Sequence, residues 1–137
     1  MSAFRMYLRV VSEALQPHEI SARLGCEADE ATAIGSRRCP QSAPRKHATW
    51  IRHVRAPGES GPPEDLEPVV LAWGAEFAAA LGRLADSKEA DVSLVVVQEI
   101  TAPEDPQQKG IFLRAALLAW LARAGALLDI DQYVYLG

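Results

Sequence analysis

The stretch Phe4-Arg5-Met6-Tyr7-Leu8-Arg9-Val10-Val11 alternates apolar and polar side chains. Alternate residues of a strand point to opposite faces, so Phe4, Met6, Leu8 and Val10 share one face and Arg5, Tyr7 and Arg9 the other. A strand of this kind belongs to a sheet with one covered and one open face. The rest of the chain must then supply helices for the cover and further strands for the sheet.

Working outward, Pro17 opens a short helix with Glu19 in its first turn, where the helix macrodipole favours a negative charge. Ile20 and Leu24 stack on its buried side, and Gly25 stands where a left-handed C-cap belongs. Ala31 to Gly35 is read as a short strand, Ser36 to His47 as a loop broken by Pro40 and Pro44, and Thr49 to Val54 as a strand. Ala56 to Asp65, with Pro57, Gly58, Gly61, Pro62 and Pro63, reads as a flexible connection inside one domain. Asp65 is expected to cap a single helix along Leu66, Val70, Trp73, Phe77, Leu81 and Leu84, with Pro68 in its first turn. Val92 to Ile100 is a Val-rich strand, Thr101 to Gly110 a loop, Ile111 to Ala124 a helix and Leu127 to Leu136 a closing strand. Strand order β-α-β-β-α-β-α-β predicts an α+β fold: a mostly antiparallel sheet of about five strands with about three helices packed on one face.

Composition agrees with this. The chain has 137 residues, 49% hydrophobic and 23% charged, which is one globular domain's worth and excludes disorder and fibrous repeats. Fourteen Lys and Arg against eighteen Asp and Glu leave a net charge of -4, which argues against a nucleic-acid coat. The longest charge-free apolar stretch, around Ala115 to Ala122, falls short of the roughly 20 residues that span a bilayer. With no basic-then-apolar start, the expectation is a cytoplasmic protein, off the membrane, with Cys26 and Cys39 both reduced.

Tyr7-Leu8-Arg9-Val10, then Leu15-x-Pro17-x-Glu19-Ile20 and Leu24-Gly25, form one recognisable end of the chain. The other is Leu117-x-x-Trp120-Leu121-x-x-Ala124-Gly125-Ala126-Leu127-Leu128-Asp129-Ile130-Asp131-x-Tyr133. Together they resemble the bacterial domain of unknown function family 4279. The resemblance covers most of the chain and implies a fold. It brings no established activity or cofactor.

Candidate sites follow from the strand faces. Asp129 and Asp131 share a face with Tyr133 and Tyr135, while Leu128, Ile130, Val134 and Leu136 are expected to turn into the core. Arg5, Tyr7 and Arg9 form the matching face of the first strand, and Arg5 or Arg9 would pair with Asp129 or Asp131 were the two strands neighbours. Arg37, Arg38, Arg45, Lys46, Arg52 and Arg55 concentrate positive charge, with Trp50 available for stacking against a ligand and Arg52 beside it. Cys26, Cys39, His47 and His53 are zinc-ligating types without the close cysteine pair of a structural site, so no metal or other cofactor is expected. No nucleophile turn or phosphate-cradling glycine loop is present.

These observations favour a non-enzymatic protein-binding module on an open sheet face, by analogy an accessory or immunity-type partner. Its candidate contacts are Arg5, Tyr7, Arg9, Trp50, Arg52, Asp129, Asp131, Tyr133 and Tyr135. An exposed strand would also permit a homodimer. The alternative is a ligand-binding protein or enzyme with its site around the C-terminal Asp and Tyr strand.

Overall fold

The alternation in the first strand is realised in β1 (Ala3–Ser12), which buries Phe4, Met6, Leu8 and Val10 and leaves Arg5 exposed and Tyr7 and Arg9 half-buried. The computed structural model describes residues 3–55, 63–106 and 110–136. Along the chain follow α1 (Pro17–Leu24), β2 (Glu30–Thr32), β3 (Ala48–His53), α2 (Pro63–Ala72), α3 (Ala75–Asp86), β4 (Asp91–Ile100), α4 (Ala115–Ala124) and β5 (Leu127–Val134). The strands form one open sheet in the order β2-β3-β1-β4-β5. Every neighbouring pair is antiparallel except β4 and β5, which are parallel and joined through α4.

Register fixes the two faces. Val10, Leu8 and Met6 stand opposite Val92, Leu94 and Val96, and these six side chains enter one core with Trp50, α1, α2, α3 and α4. Tyr7 and Arg5 stand opposite Val95 and Val97, which lie outside that core and are nonetheless 0% and 3% exposed. The middle of that second face is therefore shielded from solvent, although the helices among the described residues pack on the other face.

Four helices are present among the described residues where about three were expected, because the stripe from Leu66 to Leu84 breaks at Gly74. Gly74 has φ +92°, a left-handed conformation that glycine adopts freely, and α2 and α3 bend there by 79°. The apolar spacing survives the break because both helices feed one core, with Leu66, Val70, Phe77, Leu81 and Leu84 buried. The Gly74 carbonyl accepts from Trp120 Nε1 at 3.1 Å, tying the bend to α4.

The helix expected from Asp65 begins at Pro63, so Asp65 is not its cap and Pro68 lies inside it rather than in the first turn. Of the connection read over Ala56 to Asp65, residues 56–62 lie outside the described residues. The last helix starts at Ala115 rather than Ile111. Its entry is held by Glu67, 2% exposed, whose Oε1 accepts from the Arg114 backbone N–H at 2.8 Å. A carboxylate at that end complements the positive helix terminus.

α3 and α4 pack through small residues. A Cβ at Gly82 would land on the backbone carbonyl oxygen of Arg123, and one at Gly125 would come within 2.9 Å of Ala85 Cβ. No single helix among the described residues is long and apolar enough to cross a membrane.

Candidate functional site

The open face is built by the residues of β1, β3, β4 and β5 that alternate with the core positions. Arg5, Tyr7 and Arg9 come from β1, Asp129 and Asp131 from β5, and β4 runs between them. The condition set for that pairing, direct adjacency of the two strands, is not met: β1 and β5 are separated by β4. Arg9 nevertheless reaches across β4, placing Nη2 3.4 Å from Asp129 Oδ2. Its long side chain lies over the Ser93–Val95 segment, and an ion pair this exposed contributes only about 0.2–1 kcal/mol. Arg9 Nε is buried with no hydrogen-bond partner among the described residues.

Toward the other edge, Tyr7 meets His53 of β3 edge-on, with ring centroids 6.0 Å apart, and His53 Nε2 contacts Glu30 Oε2 of β2. Asp29 Oδ2 accepts from the His53 backbone N–H at 2.7 Å, which fixes that end of β3. This row was not among the expected contacts. The signal for it lay in the β3 alternation, which puts Thr49, Ile51 and His53 on one face and Trp50 and Arg52 on the other.

Trp50 and Arg52 are corrected by the same alternation. Val10 stands opposite Trp50 and Leu8 opposite Arg52, so both point to the helix side. Trp50 is 0% exposed and donates from Nε1 to Ser21 Oγ at 3.0 Å, leaving no free ring face for stacking against a ligand. The half-buried Arg52 guanidinium stacks on side chains of the helix side, 4.4 Å from the Trp73 ring centre and 5.1 Å from that of Phe77. The basic segment is likewise engaged locally: Arg37 Nη1 donates to the Ser42 carbonyl at 2.9 Å, and Arg45 Nη1 to Ser36 Oγ at 3.1 Å.

Tyr133 and Tyr135 are exposed, as are Leu128, Ile130, Val134 and Leu136. The last four were expected in the core. They point to the helix side, but β5 is an edge strand and the helices do not reach over it.

Both cysteines are free thiols, and no group of three or more His, Cys, Asp or Glu able to hold a metal is present among the described residues. Burial pushes the Cys26 thiol up, opposed in part by the nearby Arg52 guanidinium, whose Nη1 lies 3.8 Å from Sγ. The exposed Cys39 is lowered by its hydrogen bond with Ser42 Oγ at 3.0 Å. Thiolate is the reactive form, so iodoacetamide at neutral pH is expected to alkylate Cys39 several-fold faster than Cys26. The gap should close as pH rises past both values. Peptide mass spectrometry over time reads it, and faster labelling of Cys26 would contradict the assignment.

The family described as Domain of unknown function (DUF4279) matches residues 2–135 of the chain. No curated protein and no solved structure matches it.

Proposed function

Because the chain belongs to the DUF4279 family, whose description names no activity, we propose from its own surface that it is a non-enzymatic protein-binding module acting through the open face of its sheet. The observation that supports this reading is the one-sided cover: the helices pack against Met6, Leu8, Val92, Leu94 and Val96, and the opposite face carries Arg5, Tyr7, Arg9, Asp129, Asp131 and Tyr133. Arg and Tyr are enriched at protein interfaces, where their planar groups give large contact at low entropic cost. Arg9 is already oriented by Asp129, which lowers the ordering cost of binding. A matching partner brings acidic groups to Arg5 and donors to Asp131. The same reading extends to a bacterial cytoplasmic setting and an accessory or immunity-type role, consistent with two free thiols and net negative charge.

Capture from host lysate on the immobilised full chain, beside an Arg5→Glu/Arg9→Glu variant, tests the face. A partner held by the unsubstituted chain is expected to be recovered about tenfold less on the variant, because reversing two interface charges turns attraction into repulsion. Identical recovery on both, with unchanged circular dichroism, would remove the open face from the function.

A further inference from the structure

We propose that the chain forms a two-fold homodimer in which β5 pairs antiparallel with β5 of a second copy, centred on Gln132, joining two five-stranded sheets into one of ten strands. The edge, not the open face, carries this inference, so it stands apart from the reading above.

The strand order leaves two edges, β2 and β5. β2 has only three residues, a common way of blunting an edge. β5 has eight, Leu127-Leu128-Asp129-Ile130-Asp131-Gln132-Tyr133-Val134, with no Pro, Gly or Lys to discourage pairing. Ile130 is 43% exposed, Val134 50% and Leu136 86%, and Leu127 is 67% exposed on the other face. Apolar side chains thus flank on both sides an outer backbone edge with which no described strand pairs.

Backbone phase determines which residues can pair. The Tyr135 N–H donates to the Ile100 carbonyl at 2.9 Å, continuing the parallel ladder to β4. Hydrogen-bonding groups of alternate residues turn to opposite sides of a strand, so odd-numbered residues serve β4. Leu128, Ile130, Gln132 and Val134 present theirs outward.

The two carboxylates then select the register. A two-fold centre at Ile130 sets Asp129 against Asp131 of the second copy, and a centre at Asp131 sets that residue against itself. Like charges directly opposed on a sheet are repulsive. With Gln132 at the centre, Asp131 faces Tyr133 and Asp129 faces Tyr135, each carboxylate within reach of a phenol. On the helix side, Ile130 faces Val134 and Leu128 faces Leu136. A centre at Tyr133 shortens the overlap and sets Gln132 against Val134. Gln132 is therefore the centre at which charge, hydrogen bonding and apolar contact agree.

Light scattering on the full chain over a concentration series is expected to give a mass about twice 14.9 kDa. Ile130→Lys should return it to one chain's mass, by desolvating a charge at the paired edge. Register is read by cross-linking in a Cys26→Ser/Cys39→Ser background. Directly opposed residues lie about 5.5 Å apart between Cα atoms, within disulfide range, so Gln132→Cys is expected to oxidise to a covalent dimer. Ile130→Cys should not, since the two copies of that residue would lie roughly 13 Å apart along the strand. Monomer mass at every concentration, a dimer unchanged by Ile130→Lys, or cross-linking through Ile130→Cys but not Gln132→Cys would each overturn the proposal.

Discussion

Trp50→Ala is expected to cost about 3–5 kcal/mol of folding stability, a large share of the roughly 5–15 kcal/mol that holds a domain together. Trp50 is 0% exposed, and its indole N–H ties β3 to α1 through Ser21. Truncation removes the largest of the fully buried side chains, opens a cavity and leaves the Ser21 hydroxyl without that partner. Urea unfolding followed by circular dichroism measures the loss. An exposed ring kept for stacking would change stability by no more than about 0.5 kcal/mol on removal, so the experiment separates the two roles cleanly.

Gly82→Val is expected to destabilise by about 3 kcal/mol or more, and Gly82→Ala by a smaller amount of the same sign. Helix propensity alone predicts the reverse, since Ala is favoured over Gly in a helix interior by about 1 kcal/mol. The reversal comes from the close approach of α3 and α4. The atom that a new Cβ meets is the Arg123 backbone oxygen, which has no rotamer by which to move aside. Thermal melts of the two variants decide the matter, and a Gly82→Ala protein that melts higher than the parent would show that the helices can separate without penalty.

Local signals in the sequence carried the elements well. The alternation of Phe4 through Val10 reads out directly as β1, and Pro17, Glu19 and Gly25 mark both ends of α1, with Gly25 at φ +74° as a left-handed cap. What stayed illegible depends on partners distant in the chain. Trp50 and Arg52 share a face with each other whatever the fold, but only the pairing of Val10 with Trp50 shows that this face is the buried one. Alternation likewise groups Leu128 with Ile130 and Val134 without saying whether a helix covers them. In α2 and α3, the apolar spacing runs unbroken through Gly74, because a bend that keeps both helices on one core leaves the spacing intact. The reach of Arg9 over β4 to Asp129 required knowing that β4 lies between β1 and β5.

The central place of β1 has a consequence for synthesis. Of the five strands described it is made before the other four and ends in the middle of the sheet, with Val10 opposite Trp50 on one side and Phe4 opposite Gln98 on the other. Pairings so distant in sequence close late and slowly. Until β3 is made the nascent chain therefore carries Phe4, Met6, Leu8 and Val10 with both backbone edges of that strand open, and until β4 is made one edge stays open. Exposure of this kind invites aggregation and recruits holding chaperones. The growing chain is expected to need such shielding until residues 91–100 emerge and pair with β1.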